Sequence, residues 1–127
     1  MPIEEFVLVD AARAARRFAV APFSHFAVGA ALETAEGVVV TGCNVENATY
    51  GLTVCAERIA LFKALSEGHR TFTRVVVVAG TENPTPPCGA CRQVIAEHLA
   101  RAAPIVVDGL GVFTSGDLLP HAFQLSV

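Results

Sequence analysis

Residues 74–100 read RVVVVAGTENPTPPCGACRQVIAEHLA, and this stretch decides the fold. Arg74 to Ala79 is a short β-branched run, the pattern of a strand buried on both faces. Asn83-Pro84-Thr85-Pro86-Pro87 forces a loop after it, because proline fixes φ and removes an amide donor. Pro87 suits the first turn of a helix over Cys88 to Ala100. A strand covered on both sides and followed by a helix is a unit of a sheet with helices packed on it.

Working upstream, Cys55 to Ser66 is rich in helix formers and stops at Gly68. Residues 44–53 contain Asn44, Asn47 and Gly51 and read as a loop. Before them, Phe26, Val28, Ala30 and Leu32 alternate with other residues, Ala35-Glu36-Gly37 turns, and Val38 to Val40 returns, which is a β-hairpin. Pro22 separates it from residues 3–18, where Val7, Leu8, Ala11, Ala14, Ala15 and Phe18 recur at helical spacing. That helix opens on acids and closes on Arg16 and Arg17, as its dipole favours. Downstream, Ile105 to Val107 reads as another central strand, and Ser115 as the cap of a short turn carrying Leu118 and Leu119 before Pro120. The order α-β-β-α-β-α-β with a short tail predicts an α/β fold, a mixed β-sheet sandwiched by α-helices, with residues 1–127 as one domain.

Composition narrows the function. Hydrophobic residues make up 53% of the 127 and charged ones 17%, which excludes a disordered chain, and no apolar run approaches the roughly 20 residues that span a bilayer. Nine basic residues against twelve acidic give a net charge of −3, and only Arg16 and Arg17 are adjacent. That is a poor match to a nucleic-acid strand, so a small substrate is expected, with no nucleic-acid and no membrane partner. Met1 to Phe6 carries Glu4 and Glu5 where a secretory signal would be basic, so a cytoplasmic location is expected. In that compartment the four cysteines point to metal ligation, catalysis or burial before disulfides.

Three of them stand at helix starts. Cys55-Ala56-Glu57-Arg58 and Pro87-Cys88-Gly89-Ala90-Cys91 each follow a strand and a loop, so both helix N-termini are expected at one sheet edge, with three thiols together. The dipole at a helix start favours a thiolate, and Cys88 and Cys91 lie one turn apart on one face. Three protein ligands leave a tetrahedral zinc with one position free for water, the arrangement of a catalytic site, and zinc brings the pKa of such water to about 7. Glu57, two residues past a ligand, reaches that water better than the ion and is the natural proton shuttle for hydrolysis at an amidine-like carbon. Arg58, a turn past Cys55, is expected to hydrogen-bond the ligand sulfurs and offset their charge.

Cys-Ala-Glu-Arg at 55–58 with Pro-Cys-Gly-Ala-Cys-Arg-Gln at 87–93 resembles the small homotetrameric zinc-dependent cytidine deaminases. Phe26-Ala-Val-Gly-Ala-Ala-Leu32, Gly42-Cys-Asn-Val-Glu-Asn47 and Leu118-Leu-Pro-His-Ala-Phe123 match that family in its order, so the resemblance covers nearly the whole chain. It implies a cytidine deaminase-like three-layer α/β/α fold, one Zn²⁺ per subunit, and hydrolytic deamination of cytidine and 2′-deoxycytidine in pyrimidine salvage. It further implies that Phe26 packs on the pyrimidine, that the backbone around Ala56 meets it, and that Asn44 and Glu46 hydrogen-bond the ribose. Phe123, with Tyr50, would complete a neighbouring subunit's pocket. In one departure, the family's usual Tyr is Phe23 here, which removes a hydroxyl from an inter-subunit hydrogen bond.

Other readings make different predictions. Cys88-Gly-Ala-Cys91 alone resembles a thioredoxin-type redox pair, which leaves Cys55 and Glu57 unexplained. A structural zinc module would need Cys43 as a fourth thiolate, whereas Cys43 reads as a small core residue at a strand end. A deaminase of a modified or antibiotic nucleoside would share the metal chemistry. Asn44-x-Glu46 favours the ordinary nucleoside. His25, His69, His98 and His121 have no partner spacing and are assigned no ligand role.

Overall fold

Val75 and Val77 face one side of the central strand and Val76 and Val78 the other, and all four are buried. The computed structural model describes residues 2–80, 82 and 84–125; Asn83, the expected start of the proline-rich loop, lies outside them. The elements are α1 (Glu5–Arg16), β1 (Gly29–Thr34), β2 (Val39–Cys43), a 3-10 turn (Tyr50–Leu52), α2 (Ala56–Ser66), β3 (Phe72–Val78), α3 (Gly89–His98), β4 (Pro104–Val107), β5 (Gly111–Thr114) and α4 (Ser115–Leu118). The sheet order is β2-β1-β3-β4-β5, with β3 and β4 parallel and the other neighbours antiparallel.

Leu8 and Ala12 of α1 cover one face against Ala31, Val76, Val78 and Val106. On the other face Ala60, Leu61 and Ala64 of α2 and Ile95 of α3 pack against Ala30, Leu32, Val40, Val75, Val77 and Ile105. This is the three-layer α/β/α arrangement, and the alternation along β3 is why its sequence reads as an unbroken apolar run. Since β2 and β3 are both antiparallel to β1, they run the same way. Gly29 pairs with Cys43 on one side and Val78 on the other, so β2 and β3 end at one edge. The loops leading to α2 and α3 leave from that edge.

The structure corrects several boundaries. The first helix ends at Arg16 rather than residue 18, and Phe18 is 74% exposed, because the chain turns there to bridge Val20 to Val45. Strand β5 is not among the expected elements, although Asp108-Gly109 is a hairpin signal; Gly109 sits at φ 85°, which a glycine adopts without strain. Thr114, not Ser115, caps α4: its hydroxyl accepts from the Asp117 amide at 3.0 Å, and the Asp117 carboxylate accepts from the Thr114 amide at 3.2 Å. Pro87 sits outside α3, since Cys88 is the residue that caps it.

Two glycines set how closely the helices approach. A Cβ on Gly29 would lie 1.9 Å from the Ala12 carbonyl oxygen of α1, and one on Gly42 would lie 2.6 Å from the Ala56 oxygen and the Ala60 nitrogen of α2. Both neighbours are backbone, so the helix itself would have to move. Gly29→Ala and Gly42→Ala should each destabilise the fold by about 3 kcal/mol, the upper end for overpacking. Only the second displaces the helix that begins at Cys55, so thermal melting should drop for both while zinc content falls for Gly42→Ala alone.

Candidate metal centre

Cys55 and Cys88 occupy equivalent places, each the extended residue immediately before its helix, at φ −72° and ψ 156° and at φ −68° and ψ 170°. Cys91 follows in the first turn of α3 and is fully buried. The three sulfurs lie within 4.8 Å of one another, with Cys55 Sγ and Cys88 Sγ 3.6 Å apart. Tetrahedral ligands at a zinc–sulfur distance of about 2.3 Å stand about 3.8 Å apart, so these donors fit one ion. Cys43 does not join them: it ends β2 and faces a groove with Ala11, Phe18, Ile59 and Lys63. Among the described residues the group has three members, which fits a metal with an open position better than a closed four-thiolate module.

The charges around the sulfurs are coupled. Hydrogen bonding from Cys91, assisted by Arg58 and Cys88, holds the Cys55 thiol well below its ordinary value against the effect of burial. The same contact and burial push Cys91 up. Arg58 approaches Cys55 Sγ through Nη2 at 3.5 Å, and the sulfurs raise the pKa of its guanidinium. Its Nε is buried without a hydrogen-bond partner. Glu57, in the first turn of α2, is only 5% exposed; burial, with the Cys55 charge, raises its carboxyl to about 7 against the pull of its own amide, Cys91 and Arg58. Ala56 between them is fully buried.

Asn44 and Glu46 are tied to this centre through the chain. Val45 exchanges two backbone hydrogen bonds of 3.0 Å with Val54, the residue before Cys55, and Val20 pairs along the other side. Their side chains turn toward residues 23–28. Asn44 Oδ1 accepts from the Val28 amide at 2.8 Å and Nδ2 donates to the Phe26 carbonyl at 2.8 Å, which leaves one lone pair and one N–H uncommitted. Glu46 Oε1 accepts from the Phe23 and Ser24 amides at 2.9 and 3.1 Å, and Oε2 accepts from the Ser24 hydroxyl. The Ser24 hydroxyl is foremost in holding the Glu46 carboxyl below its ordinary value. Phe26 is 36% exposed, and Phe23 meets Tyr50 edge-on with ring centroids 6.2 Å apart.

Phe123 stands elsewhere in a single copy. It is 71% exposed beside Ala96 and Glu97, and its carbonyl accepts from Gln93 Nε2 at 2.9 Å. Arg92 braces the loop before Cys88, donating from Nε to the Pro87 carbonyl at 2.6 Å and from Nη1 to the Leu118 carbonyl at 3.1 Å. The sequence reading leaves Ser24 unremarked and gives Arg92 and Gln93 no role beyond their place in the 87–93 motif. The signal available was the Arg-Gln pair directly after the last cysteine.

Residues 1–107, with all three clustered cysteines, match the family model described as the cytidine and deoxycytidylate deaminase zinc-binding region. The chain belongs to this deaminase family. It is 50% identical over 121 residues to the cytidine deaminase of Halalkalibacterium halodurans, covering 92% of each chain. Its fold superposes on the crystal structure of cytidine deaminase from Burkholderia pseudomallei with a TM-score of 0.90 and 50% identity, covering 95% of this chain and 100% of that one. A more distant relative, the blasticidin-S deaminase of Bacillus cereus, is 33% identical over 79 residues, 56% of each chain. The three clustered sulfurs could hold the zinc of this deaminase family, and the dithiol redox reading leaves the third sulfur without a purpose.

Proposed function

We propose that this chain is a cytidine deaminase, which hydrolyses cytidine and 2′-deoxycytidine with water to uridine and 2′-deoxyuridine and releases ammonia, a step of pyrimidine salvage. The observation that carries the reading is a buried carboxyl, Glu57, beside three converging sulfurs with no fourth protein ligand among the described residues. Bound zinc supplies a Lewis acid that activates water near neutral pH. Cys55, Cys88 and Cys91 would hold it, and Arg58 would offset the sulfur charge. Glu57 takes a proton from the attacking water and gives it to the ring nitrogen, then takes the second proton from the added hydroxyl and gives it to the amine as the C–N bond breaks, the acid-base role of the non-ligand glutamate of zinc deaminases. Its raised pKa suits it to do both.

Phe26 packs on the pyrimidine, the backbone at Ala56 meets the base edge, and the uncommitted valences of Asn44 and Glu46 bind the ribose. Residues 1–127 act as one catalytic domain. The exposed Phe123 and Tyr50 support a homotetramer in which a neighbour completes each pocket, since large apolar side chains left in water mark an interface. No helix among the described residues is long and apolar enough to cross a membrane, and we assign the enzyme to the cytoplasm.

The test is loss of cytidine absorbance with uridine and ammonia formed in equal amounts by the zinc-loaded protein, run beside blasticidin S. Cytidine should be the better substrate by kcat/KM. A reversed preference would favour the antibiotic-nucleoside reading, and turnover of neither would sink both.

A further inference from the structure

Among the groups that hold the loop carrying Phe26 is one hydroxyl that no chemical step requires. Ser24 donates its hydroxyl hydrogen to Glu46 Oε2 and accepts the Phe26 amide at 3.1 Å, while its own amide donates to Glu46 Oε1 at 3.1 Å. Between Ser24 and Phe26, His25 sits at φ 59°, a left-handed conformation uncommon for a residue with a Cβ, so the turn needs outside support. That support includes the Ser24 relay on one side and the Asn44 amide on the other, which accepts from the Val28 amide and donates to the Phe26 carbonyl. The Phe26 carbonyl is thereby fixed directly to Asn44, and its amide is linked to Glu46 through the Ser24 hydroxyl.

From this juxtaposition we infer that Ser24 is a positioning residue: its hydroxyl couples the orientation of Glu46 to that of Phe26, setting base and ribose contacts as one unit. The inference rests on the nucleoside reading above. Removing the hydroxyl frees Glu46 Oε2 and the Phe26 amide together, while Glu57 and the sulfurs, which belong to α2 and α3, keep their supports. The binding of substrate should suffer and the chemical step should not.

Steady-state kinetics on cytidine should therefore give Ser24→Ala a KM about tenfold higher with kcat within about twofold of wild type, and Ser24→Thr, which keeps the hydroxyl, should restore KM. Hydrogen exchange on the peptide spanning residues 20–28 should run about tenfold faster in Ser24→Ala and return to the wild-type rate in Ser24→Thr. An unchanged KM, a kcat that falls as far as kcat/KM, or unchanged exchange would each overturn the inference. A lowered melting temperature with KM intact would reduce Ser24 to a stability role and overturn it as well. Failure of zinc-loaded wild type to turn over cytidine would strike the nucleoside reading itself, and the exchange comparison would still decide whether Ser24 fixes the loop.

Discussion

Glu57→Gln should lower kcat on cytidine by at least about 10²–10⁴-fold and leave the zinc in place. Glutamine has nearly the shape of glutamate, so the packing of a side chain only 5% exposed is preserved. What is lost is the ability to take up a proton and return it. Glu57 lies outside the group of three convergent sulfurs, so its loss removes no ligand. Burial holds the carboxyl near neutrality, where accepting and donating are both accessible, and an amide has no such equilibrium. Metal analysis and turnover on the same preparation check both halves. Turnover near wild type would mean that the proton travels by another group, and loss of zinc would mean that Glu57 supports the site and not the reaction.

That the convergence of the three sulfurs, with Glu57 buried beside them, is legible in the sequence has a physical reason. Ligand spacing, the helix N-cap position and a carboxylate two residues on are local properties, and a strand-loop-helix repeated at one sheet edge converts them into a three-dimensional group. The apolar alternation of β3 likewise predicts burial on both faces. The parts that were not legible depend on distant pairings. Phe18 keeps the helical spacing, but the need of Val20 to pair with Val45 ends α1 before it. Gly29 and Gly42 look like ordinary strand residues until α1 and α2 are laid across them.

Asn44 and Glu46 show the same limit from the side of function. As a pair in a turn they suggest sugar recognition, yet the contacts they make within the chain are to the backbone of residues 23–28 and to the Ser24 hydroxyl. Which contact a short polar side chain makes depends on a loop whose conformation no local pattern encodes. Asp108-Gly109 differs, since its hairpin signal was present and the missing strand β5 follows from it directly.

Cys91→Ala should empty the centre of zinc and abolish turnover, while Cys43→Ala leaves both intact. Cys91 is the fully buried member of the group and shares the start of α3 with Cys88, so without it two sulfurs remain, one on each helix. Loss of a direct ligand should weaken zinc binding by more than the roughly 10–100-fold that follows from changing a group behind a ligand. Because bound metal stabilises only the folded state, melting of Cys91→Ala should also cease to respond to added zinc. Cys43 controls for the chemistry of a missing thiol: it faces the groove between α1 and α2, away from the other three. Zinc lost from Cys43→Ala would revive the closed four-thiolate module, whereas zinc lost only from Cys91→Ala would mean that the unsubstituted centre holds its ion with three protein donors and room for water, the condition that hydrolysis requires.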